Sequence, residues 1–345
     1  MIYNPYIEAG LRPKRSYKKY IISIVLLLFA SLFIFKFGLA YRKITINNNV
    51  LENNDKIGGI FELGEITPDD VIKSEILPIP KKDENRLNIL VLGVRGEDDL
   101  ANGGLLTDTI LVLSLNKNTG KSAMISIPRD LFINMKNIFV GKVNGVYWTG
   151  LQLGKSFGYT KDTFSRITGV YIDQVVVFDF NSFTSIVDTL GGINITLDKP
   201  FNESLQWGYE FNLPEGENHL DSEQALYYAR SRYNTNDFDR ARRQQEIIMA
   251  IKNKLLSLGV LGNPVKLNNL ISNVSESVNT DIGIWDIKDL IDLASSINAT
   301  NNDPKKYVID TTNILYQTTA FNAYILLPNF NDPREVQKVF QNIFK

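Results

Sequence analysis

Residues 227–245 read YYARSRYNTNDFDRARRQQ. The stretch holds five arginines (Arg230, Arg232, Arg240, Arg242, Arg243) and two aspartates, Asp237 and Asp239. A guanidinium is costly to bury without an anionic partner, so the helices that place these side chains decide what they do. Upstream, Asp221-Ser222-Glu223-Gln224 has the form of a capping box, Asp221 as cap and Gln224 reaching back. It predicts a helix through Ala225, Leu226 and Tyr228 that ends near Arg230. After a polar turn, Asp237 or Asp239 is suited to cap a second helix reaching about Leu258. On it Ile247, Ile251, Leu255 and Leu258 recur at helical spacing, and the stripe extended backwards meets Arg243 or Gln244 and then Arg240. A face that turns basic in its first turns, beside free N–H groups and the positive end of the helix dipole, suits an anion. The planar fork of arginine matches phosphate oxygens. The competing reading is a solvated basic patch answering its own aspartates.

Composition confines the cluster. The chain has 345 residues, 44 % hydrophobic and 22 % charged, with a net charge of −1. That balance excludes a broadly basic nucleic-acid binder, and no P-loop is present. There is no cysteine, hence no disulfide, thiolate metal site or cysteine nucleophile. The single histidine, His219, falls in a stretch that reads as a surface loop, so a Ser-His-Asp triad is not expected.

Residues 1–19 form a polar, basic tail with Arg12, Lys14, Arg15, Lys18 and Lys19, and residues 20–40 are almost wholly apolar. About 20 such residues span a bilayer. No small-residue cleavage site follows them, which favours an uncleaved transmembrane helix over a signal peptide. Basic residues before the span place the N-terminus in the cytoplasm and the rest of the chain outside. Residues 41–84, rich in Asn, Asp, Glu, Lys and Pro, read as a stalk with little packed core, with a short helix near Asp69–Ser74.

The globular part, residues 85–345, opens with two apolar runs, 88–93 and 109–115, read as buried strands. The turn at 116–120 predicts a hairpin with 121–127. A helix over 151–167, a strand within 171–180, a helix capped by Asn181 and stopped by Gly191, and a strand over 193–197 follow. Beyond the arginine stretch come a helix over 282–297, a strand at 307–309 and a last helix begun by Pro333. The mixture predicts an α/β fold with helices around a central mixed sheet.

Two more stretches carry chemistry. The loop between the first two strands holds Asp98, Asp99 and, at its end, Asp108. Carboxylates at strand ends suit a hard cation such as Mg2+, or are an acidic surface loop. Ser126-Ile-Pro-Arg-Asp130 follows the third strand and puts Arg129 at its edge; Lys142 and Asn144 follow shortly.

Together LTDT (106–109), SIPRD (126–130), KVN (142–144), VDTLGGINI (187–195), LDSEQALYYARSR (220–232) and DFDRARRQQ (237–245) resemble the LytR-CpsA-Psr family of cell-wall glycopolymer transferases, in family order, over residues 87–258. The resemblance implies an α/β sandwich with an apolar groove for a polyprenyl tail. It implies transfer of a phosphate-linked glycopolymer from undecaprenyl pyrophosphate to peptidoglycan by a membrane-anchored, Mg2+-dependent phosphotransferase, with hydrolysis of the pyrophosphate as a side reaction. By motif position Arg129, Arg230, Arg232, Arg240, Arg243 and Gln244 would grip the pyrophosphate, Lys142 more weakly, and Asp108 would hold the metal. One departure stands out. Many members carry an aspartate two residues after the glycine closing the first strand, where this chain has Arg95. A second metal carboxylate would then be Asp98 or Asp99, or be absent, and Arg95 is suited to meet phosphate instead. Asp237 or Asp239 is suited to take the acceptor's proton, or to cap the helix and orient arginines. Arg95 also keeps alive a different reading, a non-catalytic binder of the lipid pyrophosphate with a regulatory role.

Overall fold

The computed structural model describes residues 67–96, 103–204, 210–232, 234–259, 278–282 and 303–345. The apolar segment 20–40, Asp98, Asp99 and all but the first residue of the helix expected over 282–297 lie outside these residues. Among the described residues no helix is long and apolar enough to cross a membrane.

The two apolar runs become β1 (Arg86–Gly93) and β2 (Thr109–Asn116), and the turn after β2 returns the chain as β3 (Ser122–Ser126). All three pair antiparallel in sequence order, as the hairpin signal predicts. β6 (Gln174–Phe178) joins β1 in parallel, β11 (Val278–Thr280) closes one edge, and β12 (Lys305–Val308) pairs in parallel with β3 at the other. The result is one mixed six-stranded sheet in the order β11-β6-β1-β2-β3-β12.

Both faces are covered, because the strands alternate two apolar sets. Leu90, Leu92, Val112 and Ile125 point to one side, in a core with Phe164 and Ile167 of α3 (Ser156–Thr168) and Phe340 of α7 (Arg334–Asn342). Leu111 and Met124 point to the other, against Met249 of α6 (Asp237–Ser257). A second core packs α4 (Phe180–Thr189), β7 (Ile193–Leu197), β10 (Gly216–Leu220) and α5 (Ser222–Arg230) around Val187, Ile193, Leu220 and Ile247. The smaller elements are α1 (Pro68–Val71), the β4–β5 hairpin (Phe132–Met135 and Phe139–Lys142), α2 (Val146–Gln152), the β8–β9 pair (Phe201–Glu203 and Phe211–Leu213) and the β13–β14 hairpin (Leu315–Ala320 and Ala323–Pro328).

Several local expectations are corrected. The single helix read over 151–167 is two, α2 and α3, parted at Gly154, whose φ of +64° stops the first. α4 is capped by Asp179, not Asn181: the Asp179 carboxylate accepts from the Ser182 N–H at 2.7 Å. α6 is capped by Asn236, not by either aspartate, its Oδ1 accepting from the N–H groups of Phe238 and Asp239 at 2.9 Å. His219 is no loop residue but lies on β10, its Nδ1 2.8 Å from Asn194 Oδ1 of β7. The stalk reading fails at its C-terminal end. Ile72 and Leu77 are buried, and Asn134 of β4 donates to Asp69 and to the Ile72 carbonyl. The capping box Asp221/Gln224 of α5 is present as read.

Candidate functional site

The site forms where β1 and β3 end, β2 begins and α6 starts. The Asp108 N–H bonds the carbonyl of Gly93, the last residue of β1, at 2.9 Å. Gly93 has no room for a side chain, since a Cβ there would fall 2.9 Å from Thr109. The Arg95 N–H bonds Gly104 O at 3.0 Å, and Thr107 and Arg129 both bond Asn144 through the backbone, at 3.0 and 3.3 Å. The three motif loops are thus pinned to one another by main-chain bonds. α6 is fixed from the other side by Gln245, buried at 1 % exposure, whose Nε2 donates to Ser126 Oγ (2.8 Å), Tyr307 O (3.0 Å) and Met124 O (3.4 Å).

Between these supports lies a pocket of about 270 Å3, open mouth included, lined by Asp108, Ser126, Arg129, Asp237, Arg240 and Gln244 among others. Its charges form one network. Asp108 Oδ1 accepts from Arg129, Asp108 Oδ2 lies 3.4 Å from Arg95 Nε, and the Asp108 carbonyl accepts from Arg240 Nη2 at 3.4 Å. Arg129 Nε stands 3.5 Å from both Asp130 Oδ2 and Asp237 Oδ2. Asp130 holds Lys142 at 2.6 Å, and Asp237 lies 3.5 Å from Arg240 and 3.9 Å from Arg232. Burial pushes the Asp108 carboxyl up, but the guanidiniums of Arg129, Arg240 and Arg95 outweigh it and hold it below the usual carboxylate range. Burial works against the charge on Arg129 too, and Asp108, Asp130 and Asp237 more than restore it. Arg240 is left with a lowered value, because burial and the neighbouring cations Arg129 and Arg232 exceed what its aspartates return. Arg129 Nε is buried and makes no hydrogen bond among the described residues. A fixed cluster of guanidiniums, held in place by aspartates, is built to receive oxyanions.

The sequence expectations divide here. Arg129, Arg240 and Gln244 line the pocket; Arg95, Lys142 and Arg232 are tied into it through aspartates. Gln244 also donates to Ala229 O at 3.3 Å. Arg230 lies apart from the lining, its guanidinium 4.0 Å from the centre of the Phe180 ring. Arg243 departs from its expected role. It is 6 % exposed, and its donors go to Tyr228 O (3.0 Å), Ser231 O and Thr235 Oγ1 (3.2 Å) rather than into the pocket. Of the two aspartates suited to take a proton, Asp237 lines the pocket, while Asp239 pairs with Arg242 at 2.7 Å. Two residues were not singled out in advance. Asp130 joins Lys142 to Arg129; its place in SIPRD was the available signal. Tyr324 of β14 sits near Asp130 and Asp237, and burial and then these carboxylates raise its hydroxyl's pKa. Nothing in its local sequence marks it.

Of the residues suited to a divalent cation, Asp108 has both carboxylate oxygens facing guanidiniums, and Asp98 and Asp99 lie outside the described residues. Mg2+ takes oxygen ligands in near-octahedral array and would have to displace Arg129 or Arg95 to reach Asp108.

Comparison with known proteins agrees with the fold. A crystal structure of Bacillus subtilis TagV superposes with a TM-score of 0.59 at 25 % identity, covering 75 % of this chain and 97 % of that one. By sequence the chain is 28 % identical over 282 residues to the polyisoprenyl-teichoic acid–peptidoglycan teichoic acid transferase TagV of Bacillus subtilis, covering 78 % of this chain and 67 % of that protein. It is 30 % identical over 204 residues to the cell wall biosynthesis protein LcpA of Corynebacterium glutamicum, covering 52 % of this chain but only 39 % of LcpA. It is 28 % identical over 207 residues to the regulatory protein MsrR of Staphylococcus aureus, covering 59 % and 58 %. The LytR_cpsA_psr family model matches residues 54–338, and the chain belongs to that family.

Proposed function

We propose that the protein is a membrane-anchored, extracytoplasmic transferase that moves a glycopolymer from a polyprenyl pyrophosphate to peptidoglycan. The observation that carries this reading is the pocket beside the start of α6, lined by Arg129, Arg240 and Gln244 together with Asp108 and Asp237. Relatives named as teichoic acid transferases support it. In the reaction an acceptor hydroxyl oxygen attacks the phosphorus bearing the sugar. The new P–O bond forms as the bond to the bridging oxygen breaks, and prenyl phosphate leaves with that electron pair. Asp237 stands at the pocket wall to receive the hydroxyl proton. Arg129 and Arg240 bind the phosphate oxygens and stabilise the charge that grows on the leaving group; such catalysis is mainly positioning and electrostatics. Water in place of the sugar hydroxyl would give hydrolysis.

The test uses the full chain in detergent with a prenyl-pyrophosphoryl saccharide and a peptidoglycan oligomer, followed by mass spectrometry. Wild type should form the linked product, and Arg240→Ala should lose on the order of 10²-fold in rate. No product, with an unchanged saccharide affinity in Arg240→Ala, would refute the assignment. Binding without transfer or hydrolysis would favour the second reading, a carrier-binding regulatory protein. That reading draws on the engagement of Asp108, Asp130 and Asp237 by cations and on the relative named as regulatory.

A further inference from the structure

Residues 231–236 link the end of α5 to the start of α6, and they place two charges of the pocket: Arg232 within the link and Asp237 directly after it. Asp237 lies 3.5 Å from Arg129 Nε, 3.5 Å from Arg240 and 3.9 Å from Arg232. Arg129 and Arg240 are also tied to Asp108, at the start of β2. Arg232 comes from the link itself, so the course of the link decides whether that cation stands against Asp237.

Arg243 grips this link at both ends. Its Nη2 donates to Ser231 O at the start and to Thr235 Oγ1 near the finish, at 3.2 Å, and its Nε donates to Tyr228 O of α5 at 3.0 Å. Ser231 and Thr235 therefore cannot part without breaking a bond to one nitrogen. The residue is buried, 5.2 Å from the centre of the Phe201 ring and 5.7 Å from that of Tyr228, so an acceptor it abandoned would stay unmet in the interior. β8 meets the middle of the link: Asn202 O accepts from Asn234 Nδ2 at 3.0 Å, and the buried Glu203 carboxylate accepts from the Asn234 N–H at 3.3 Å. A lysine cannot copy the grip of Arg243. Its ammonium is a compact point charge, whereas the planar fork reaches separate acceptors in a fixed geometry.

We propose that Arg243 is a positioning residue for the transfer step: it staples the link so that Arg232 stands against Asp237, and it acts on the reaction through that pair without touching the diphosphate. This rests on the transferase reading of the pocket, in which Asp237 receives the acceptor's proton. Loosening the staple shifts the groups around that proton while Arg129 and Arg240 stay with Asp108, so turnover falls and donor affinity holds.

The experiment uses the full chain in detergent, with a prenyl-pyrophosphoryl saccharide and a peptidoglycan oligomer. It measures steady-state transfer, and calorimetric binding of the saccharide, at a temperature where circular dichroism shows each variant folded. Arg243→Lys should lose about tenfold or more in kcat, with KM and saccharide affinity within about threefold of wild type. Thr235→Val removes one of the gripped acceptors and should lose about threefold in kcat. In an Arg232→Gln background, Arg243→Lys should lower kcat by less than about twofold further, because the two changes break one device; a merely structural role would repeat the full loss. Should Arg243→Lys fail to fold, Thr235→Val takes its place in the same cycle. An unchanged kcat, or losses that multiply in the double variant, would overturn the proposal. So would a tenfold loss of saccharide affinity in folded Arg243→Lys, which would make Arg243 a ligand. If wild type neither transfers nor hydrolyses the saccharide, the transferase reading falls and this proposal with it.

Discussion

Arg243→Ala should unfold the protein far more easily than Arg240→Ala, although the two arginines are one helical turn apart. Arg243 gives Nε to Tyr228 O and Nη2 to Ser231 O and Thr235 Oγ1, and it lies 5.2 Å from the Phe201 ring centre. Tyr228 and Ser231 sit at the end of α5, where helix carbonyls lack intrahelical partners and a cation is favoured. Each charge-assisted bond is worth about 1.5–3 kcal/mol, and removing one side strands the other in the interior. The contacts share one guanidinium and are not additive, so truncation should cost about 3–5 kcal/mol. At roughly 2–4 °C per kcal/mol for a chain of this size, the melting temperature should fall by about 6–20 °C. Arg240 is a different case. It is nearly as buried, but Arg129 and Arg232 repel it, so its loss also relieves strain between like charges and should cost under about 2 kcal/mol. Thermal unfolding of the full chain in detergent, followed by circular dichroism, measures both. Arg243→Ala within about 1 kcal/mol of wild type, combined with lost diphosphate binding, would show that Arg243 is a ligand after all and that its place under α5 has been misjudged.

Two other perturbations test the supports of the site. The Asp108 carboxyl is held below its unfolded value of about 3.9, so the folded state keeps it ionised where the unfolded chain takes up a proton. Its contribution to stability is therefore fully present above about pH 4 and is lost as pH falls through the lower folded value. Asp108→Asn should be less stable at pH 7 and should flatten the stability profile below pH 4; an unchanged profile in urea titrations would contradict this. Gln245→Leu removes one amide from two buried acceptors, Ser126 Oγ and Met124 O, and from the half-buried Tyr307 O. A loss of about 2–4 kcal/mol is expected, with faster hydrogen exchange in β12 than in β1. Equal exchange in both strands would mean that Gln245 does not brace the edge.

What could be read from the chain alone follows the range of the forces involved. β1, β2 and their hairpin to β3 were legible because runs such as NILVLG and TILVLSL and the polar turn between β2 and β3 act over a few residues. The Asp221/Gln224 box was equally local. The stripe on α6 leads back to Arg243 or Gln244 and then to Arg240; Arg240 and Arg243 are the buried ones, at 7 and 6 % exposure, but the stripe cannot tell which of them meets a pocket and which a helix end. That distinction depends on α5, whose C-terminal carbonyls at Tyr228 and Ser231 take up Arg243. Local sequence cannot choose the cap of α6, because Asn236, Asp237 and Asp239 all carry a competent oxygen and only the backbone entering the helix selects Asn236. The pairing of β12 with β3 and the approach of Tyr324 to Asp130 join residues more than a hundred positions apart, and no local pattern announces them.

That late pairing has a consequence for the order in which the protein becomes competent. Every motif quoted at the outset is complete by residue 245, yet three further braces of the pocket come from the tail. The Ile309 N–H bonds Ser126 O, Tyr307 O receives Gln245, and the Leu326 N–H bonds Asp130 O. A chain that emerges N-terminus first gains these three braces only when residues 303–345 have followed. A gene fragment that stops after the last motif would thus score as a full member by inspection and encode a site without them. Competence in this chain is a property of its final forty or so residues as much as of the signature they complete.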